Sequence, residues 1–126
     1  MQEVMGFLLS SYWVIGEAKD LNVQVSDAQV RRSFDRIRRQ QFPKRGEFTS
    51  FLRSSGQTVA DLLFRVRLML LSGRIQHQII AAQHGARAQE EALTRFVREF
   101  KTKWRAQTYC ATQYAVEDCG HVQAAL

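Results

Sequence analysis

The chain has 126 residues, of which 45% are hydrophobic, and it carries a formal net charge of +6 at pH 7. This length predicts one domain with its own core, and the hydrophobic content excludes general disorder. A β-sandwich of this size needs more turn residues than one proline and seven glycines, so we predict an all-α fold of about five helices. The charge is compatible with nucleic acid, anionic lipid or acidic protein surfaces and selects none of them.

Apolar residues dominate the first twenty positions of the chain. Their steps of three and four residues predict a helix over 3–21, and its buried stripe is expected to consist of Met5, Leu8, Tyr12, Ile15 and Ala18. No Lys or Arg precedes the segment and no small-residue cleavage site follows it, so we interpret it as a core helix rather than a signal peptide. It is too short to span a bilayer. Any targeting signal or membrane anchor is therefore expected upstream of residue 1.

The second predicted helix has a clear start and a clear end. Ser26 and Gln29 have the spacing of a capping box, and Pro43 stops the helix near Gln41. Its apolar stripe is predicted to be Val30, Phe34 and Ile37. Arginines cover the remaining surface, which is typical of a solvated helix face and is also compatible with a nucleic-acid face.

Two further helices follow, each with a capping signal. A short helix is predicted over 46–54, with Gly56 at the left-handed position beyond its end. Thr58, with Asp61 three residues later, starts a long helix that runs to about residue 83. The side chains predicted to be buried on this helix are Leu62, Leu63, Val66, Met69, Leu70 and Ile75.

His84 and Gly85 form the only break signal before the fifth helix, which is predicted over 88–107. The apolar stripe of this helix is Leu93, Phe96, Val97, Phe100 and Trp104. The last segment, 108–126, lacks helical periodicity and contains both cysteines. We therefore divide the chain into a helical domain over 1–107 and a tail over 108–126.

Cys110 and Cys119 are the only cysteines, and their spacing alone leaves several states open. A disulfide would close a small loop, and two free thiols would fit a reduced compartment. A zinc site with His121 lacks a fourth ligand and the usual cysteine pairing. A catalytic cysteine paired with His77 or His84 is not favoured, because nothing near either cysteine indicates an activated thiolate.

The sequence lacks the common motifs of enzymes. It contains no glycine-rich phosphate loop, no H-E-x-x-H and no G-x-S-x-G. We therefore predict a protein that is not an enzyme, with no catalytic residue, no cofactor and no metal.

Two blocks of sequence carry a resemblance to a known family. The first lies within 25–80 and contains V-S-D-A-Q-V-R-R-S-F and F-T-S-F-L-R-S-S-G-Q-T-V-A-D-L-L. The second covers 92–119, with A-L-T-R-F-V-R-E-F-K-T-K-W-R-A-Q-T-Y-C and the ending Y-A-V-E-D-C. Both resemble the helical chaperone part of secreted SurA/PrsA-type foldases, which has a SurA/trigger-factor-like fold. In that family a parvulin prolyl-isomerase domain usually lies between the two parts, whereas the segment near 81–90 is too short for any domain.

The resemblance implies an extracytoplasmic, ATP-independent chaperone module without its isomerase. The ending W-x-x-x-T-x-C-x8-C is shared with similar secreted proteins and implies a disulfide between Cys110 and Cys119. The implied partners are unfolded or extended polypeptides, without specific nucleic-acid binding and without membrane contact other than through an upstream anchor.

Wide apolar stripes on all helices indicate more apolar surface than one small core requires, as in chaperones that hold clients in a groove. For each aromatic side chain, filling of the core is the competing interpretation. The candidate peptide-binding residues are Tyr12, Trp13, Phe34, Phe42, Phe48, Phe51, Phe64, Met69, Phe100 and Trp104.

Two other functions remain open at this point. The chain is also compatible with a small basic helical nucleic-acid-binding protein, and with a structural or dimerisation module. The second alternative follows from the short break at Gly85, because an isolated glycine costs a helix only about 1 kcal/mol. Fusion of the fourth and fifth helices would send the fifth into a second molecule and form a domain-swapped homodimer.

Overall fold

The computed structural model describes residues 2–123. Its elements in chain order are α1 (Gln2–Asp20), α2 (Asp27–Gln41), α3 (Glu47–Ser55), α4 (Val59–Ala81), α5 (Ala86–Ala106), β1 (Tyr109–Ala111) and β2 (His121–Gln123), with one 3-10 turn (Thr112–Tyr114) between the strands. The mostly helical fold with five helices is as predicted, and each helix end lies within two residues of its predicted position.

Local capping signals explain this agreement at the helix ends. The Ser26 hydroxyl accepts from the Gln29 backbone N–H at 3.1 Å, and the Gln29 side-chain oxygen accepts from the Ser26 N–H at 2.9 Å. Thr58 and Asp61 form the same reciprocal pair, and the backbone N–H of Thr58 lowers the pKa of the Asp61 carboxyl. Gly56 ends α3 with a φ of 71°, the left-handed conformation that was predicted.

Helix α4 is the central element, and α1, α2 and α5 all pack against it. The core residues come from α1, α2, α4 and the loop before α2, and they are Ala18, Val25, Val30, Phe34, Val66, Leu71 and Ile75. The solvent-accessible surface is 9170 Å². A compact monomer of this mass exposes about 6900 Å², so the helices leave an unusually large surface uncovered.

The predicted buried stripe of α1 is wrong for three of its members. Leu8, Tyr12 and Ile15 are 40%, 68% and 38% exposed, whereas Ala18 is buried as predicted and Met5 is half-buried. The helix instead buries Ser11, Trp13 and Glu17 beside Ala18. Helix α1 is apolar around much of its circumference, so the periodicity of its sequence could not select the buried face.

The buried faces of α4 and α5 are only partly as predicted. Val66 and Ile75 are buried, and Leu62, Leu63 and Leu70 are half-buried, but the prediction of a buried Met69 is wrong. Met69 is 49% exposed because it faces a groove rather than the core. Val97 on α5 is 47% exposed, so its predicted place in the buried stripe is also wrong.

The tail contains a short parallel sheet that the sequence did not predict. Tyr109 pairs with His121 and Cys110 pairs with Val122. The disulfide between Cys110 and Cys119, which the resemblance implied, is present and ties the connecting loop to β1. Residues 124–126 of the predicted tail lie outside the described residues.

The disulfide is compatible with an extracytoplasmic location. Over residues 2–123, no helix combines the length and the hydrophobicity that crossing a membrane requires.

Residues 82–85 separate α4 from α5, so the predicted break at His84 and Gly85 is confirmed. Gly85 has φ 91° and ψ 147°, a backbone conformation that only glycine adopts readily. The chain reverses at this point, and α5 packs against α4 of the same molecule.

Candidate functional site

Four phenylalanines form a continuous row between α2 and α3, which we call the phenylalanine ladder. Phe34 contacts Phe48 edge to face, with 5.9 Å between ring centroids. Phe42 then lies 5.6 Å from Phe48 and 5.0 Å from Phe51. Pro43 prevents continuation of α2 at this point, so the chain turns and brings α3 back against α2.

The ladder forms one wall of an apolar depression of about 350 Å³ between α2, α3 and α4. Leu62, Val66 and Met69 of α4 line the opposite side, together with Ile37 of α2. Phe34 is buried, while the other three phenylalanines are half-buried and present part of their rings to the opening. Five of the ten predicted peptide-binding residues therefore meet here: Phe34, Phe42, Phe48, Phe51 and Met69.

A second, more open depression of about 850 Å³ lies further along α4, beside the loop formed by Asn22, Val23 and Gln24. Its lining residues on α4 are Met69, Leu70, Gly73, Arg74, His77 and Gln78. Met69 lines both depressions. These positions and those of the apolar depression recur every three or four residues, so they share one face of the helix.

We call the two depressions together the α4 groove. It runs from Leu62 to His77, which is about 22 Å at a helical rise of about 1.5 Å per residue. Its first half is almost entirely apolar, and its second half is mixed, with apolar side chains beside Asn22, Gln24, Arg74, His77 and Gln78. The sequence indicated residues of the apolar half only, because the Asn22–Gln24 loop and Gly73 carry no periodic signal.

Three arginines give the α4 groove a positive potential. Arg38 lies 5.7 Å from the Phe48 ring centroid, and its Nε has no hydrogen-bond partner among the described residues. Arg65 lies 4.3 Å from the Phe7 ring centroid, and Arg74 donates to the Gln24 carbonyl oxygen.

Among the residues that the structure describes, no acidic side chain lines either depression. Within residues 2–123, the ion pairs involve other cations, namely Arg31, Arg67, Arg87 and Lys103. None of the three groove arginines forms an ion pair among the described residues, and Asp61, one turn before Arg65, is the carboxylate whose charge interacts with one of them.

Three of the other predicted residues belong to the contact between α1 and α5. Trp13 packs edge to face against Phe100 at 6.0 Å, and its indole N–H donates to the Thr108 hydroxyl at 2.8 Å. The ring of Trp104 covers Gly16, where a Cβ atom would lie 2.4 Å from the ring. These aromatic residues join α1 to α5 and to the tail, and they are not part of the groove.

Tyr12 and Phe64 complete the predicted set. They are 68% and 38% exposed, and neither lines the groove. The structure therefore separates the ten residues into five in the groove, three at the contact between α1 and α5, and two elsewhere on the surface.

Glu17 is a buried carboxylate that sequence reasoning missed. It accepts from the Trp104 indole N–H at 2.6 Å and from the Lys103 ammonium at 3.1 Å, and Lys103 also contacts Asp20 at 2.8 Å. Both hydrogen bonds of Lys103 raise its pKa, and the bond to Asp20 has the larger effect. Because all its polar contacts hold α1 against α5, we assign Glu17 a structural role.

The disulfide excludes zinc binding and nucleophilic attack by either cysteine. Both sulfurs are bonded to each other, so neither is a thiolate for zinc or for nucleophilic attack. In the part of the chain that the structure describes, no group of three His, Cys, Asp or Glu side chains is placed to hold a metal ion.

Comparisons with known protein families, with curated proteins and with solved structures give no significant match for this chain.

Proposed function

We propose that this chain is an extracytoplasmic, ATP-independent chaperone module that holds unfolded polypeptide in the α4 groove. The observation that carries the proposal is the groove itself, an apolar depression walled by the phenylalanine ladder and continuous with a longer open face of α4. Aromatic and flexible apolar side chains bind varied sequences without requiring one sequence, and Met69 lies at the centre of this face.

The size of the exposed surface supports binding of a partner. The accessible surface exceeds that of a compact monomer of this mass by about 2300 Å². Part of this surface is apolar, since Leu8, Met69 and Val97 are each at least 40% exposed, and exposed apolar patches commonly mark interaction sites. A holdase uses such surface directly, since its clients expose apolar segments that it covers.

The sequence resemblance to SurA/PrsA-type foldases supports the same function and a SurA/trigger-factor-like fold. It implies a chaperone module from which the parvulin domain is missing, so we propose binding of clients without prolyl isomerisation. The Cys110–Cys119 disulfide supports a secreted or cell-surface location, because disulfides persist in oxidising compartments.

Replacing Met69 by glutamate tests the groove as the client site. We expect the native chain, in several-fold molar excess, to suppress the light scattering of guanidinium-unfolded citrate synthase diluted into buffer. Met69→Glu is expected to lose most of this protection, because a carboxylate at the centre of the apolar face must be desolvated when a client binds. Met69 is 49% exposed, so the fold is expected to tolerate the change.

The matched control is Val97→Glu, which adds the same charge at a side chain that is 47% exposed and outside the groove. It is expected to protect the client as the native chain does. Equal protection by the two variants would remove the groove from the mechanism, and no protection by the native chain would contradict the proposed function.

We also propose that the monomer is in equilibrium with a homodimer formed by exchange of α5. The basis is the turn at Gly85, since only this residue and a few neighbours keep α4 and α5 from forming one helix. Gly85→Ala is expected to shift the protein from monomer towards dimer in size-exclusion chromatography with light scattering. Alanine at φ 91° costs about 1–3 kcal/mol, which destabilises the closed turn and leaves a continuous helix less affected.

Gly73→Ala is the control for this substitution. Gly73 lies within α4 and its φ is not positive, and a Cβ atom added there would meet no other atom within 4 Å. Alanine at this position is therefore expected to leave the oligomeric state unchanged. Purely monomeric behaviour of both the native chain and Gly85→Ala at micromolar concentration would rule out the exchanged dimer.

A further inference from the structure

We infer that the α4 groove selects polypeptide segments in which apolar residues and acidic residues lie next to each other, in either order along the chain. The apolar residues occupy the half beside the phenylalanine ladder, and the acidic residues lie at the half that contains Arg74. This inference rests on the proposed function, and it adds a charge preference that a purely apolar groove would not have.

The dimensions of the groove set the length of the segment. An extended chain advances about 3.3 Å per residue, so the 22 Å between Leu62 and His77 accommodates about seven residues. A side chain seated against Val66 and Met69 then lies about three or four residues from one beside Arg74. The two kinds of side chain are therefore expected within one short segment rather than in distant parts of a client.

The charges that line the groove determine the preferred partner. Arg38 and Arg65 border the apolar half and Arg74 borders the mixed half, and no carboxylate of residues 2–123 lines either half. Asp61, one turn before Arg65 on α4, accepts a hydrogen bond from the Thr58 N–H and also interacts with the charge of Arg65, so Arg74 is the groove arginine farther from a carboxylate on α4. The bond from Arg74 to the Gln24 carbonyl leaves its positive charge in place, and its remaining N–H groups stay available to a carboxylate.

Cations elsewhere on the described surface lie beside carboxylates or away from apolar depressions; Arg95 and Arg98, for example, form no ion pair among the described residues but line a depression with Glu90 and Glu91. Arg67 pairs with Asp27 and Arg87 pairs with Glu91, so an acidic ligand there would compete with an existing partner. The groove combines unpaired arginines with exposed apolar side chains, and this combination favours acidic and apolar residues in the same ligand.

Three labelled seven-residue peptides provide the test. Each has the same two apolar residues, followed by two glutamates, two glutamines or two lysines, and each is also made in the reverse order. By fluorescence anisotropy we expect the glutamate peptide to bind about three- to tenfold more tightly than the glutamine peptide, and the lysine peptide to bind most weakly. The difference should shrink at 0.5 M salt, because these charges are solvent-accessible.

Arginine variants then show which side chains cause the preference for the glutamate peptide. The double variant Arg65→Gln/Arg74→Gln is expected to bind the glutamate and glutamine peptides equally, while Arg65→Lys/Arg74→Lys retains most of the difference. The control is Arg95→Gln/Arg98→Gln, which removes the same two charges from exposed positions on α5 outside the groove. It should keep the full preference.

The outcomes separate this inference from the proposed function. Equal binding of the glutamate and glutamine peptides by the native chain overturns the inference and leaves the chaperone proposal standing. Loss of the preference in the α5 control also overturns it, since net charge would then be the cause. If no peptide binds and the native chain does not protect an unfolded client, the proposed function fails as well.

Discussion

Replacing Phe34 by alanine is expected to lower the free energy of unfolding by about 3–5 kcal/mol. Phe34 is buried, belongs to the core that α2 and α4 share, and contacts Phe48 of the ladder edge to face. Its removal therefore takes apolar surface out of the core and leaves a cavity at the base of the groove. Urea denaturation followed by circular dichroism measures the change.

Two control variants test whether the loss of stability comes from the buried ring of Phe34. Phe64→Ala makes the same substitution at a ring that is 38% exposed, and it is expected to cost much less. Phe34→Leu retains most of the buried surface and should cost about 1 kcal/mol. Equal losses for Phe34→Ala and Phe64→Ala would contradict the placement of Phe34 in the core. A loss of about 3–5 kcal/mol is a large part of the total free energy of unfolding of a small domain.

Removal of the disulfide is the second large expected effect. Cys110→Ser/Cys119→Ser is expected to lower the free energy of unfolding by about 2–3 kcal/mol, the chain-entropy value for a loop of this length. The change should also reach α1, because the Trp13 indole N–H is bonded to the Thr108 hydroxyl at the start of the tail. Tryptophan fluorescence and hydrogen exchange of the indole N–H report that contact.

Reduction of the native chain should reproduce the effect of the double serine variant, and the same reductant should leave that variant unchanged. An unfolding free energy that is insensitive to both treatments would show that the tail is a separate, uncoupled appendage. Loss of stability without any change at Trp13 would confine the role of the disulfide to β1, β2 and the loop between them.

The ends of the helices could be predicted because their causes are local. Ser26 with Gln29 and Thr58 with Asp61 satisfy N–H groups within one turn, so a few adjacent residues determine each boundary. The break at Gly85 is local in the same sense, since it depends on the conformation of one residue. All-α character and the number of helices followed from these signals and from composition.

The buried faces could not be predicted where a helix is apolar on several sides. Met69 and Val97 fit the apolar pattern of their helices as well as Val66 and Phe96 do, yet the first two are about half exposed. Only the positions of neighbouring helices decide which apolar residue meets another and which faces solvent. The sequence therefore predicted which types of side chain would line a groove, but not which residues: five of the ten candidates lie elsewhere.

The parallel pairing of β1 and β2 also depended on distant contacts. Three-residue strands have no periodicity to detect, and their pairing relies on the disulfide and on the bond from the His121 N–H to the Thr108 carbonyl. The disulfide itself was implied by resemblance rather than by spacing.

Local sequence patterns account for the helical class, the helix boundaries and the turn at Gly85, and they indicate more apolar side chains than one small core holds. The packing of the helices sets the rest: α1 turns Trp13 and Glu17 inward and Tyr12 outward, and the phenylalanine ladder and Met69 line one depression with Arg38 and Arg65. The two sets of features differ because the interactions that cause them act over different distances along the sequence. Capping and turn preferences act within a few residues, whereas burial and charge pairing depend on which distant segments pack together.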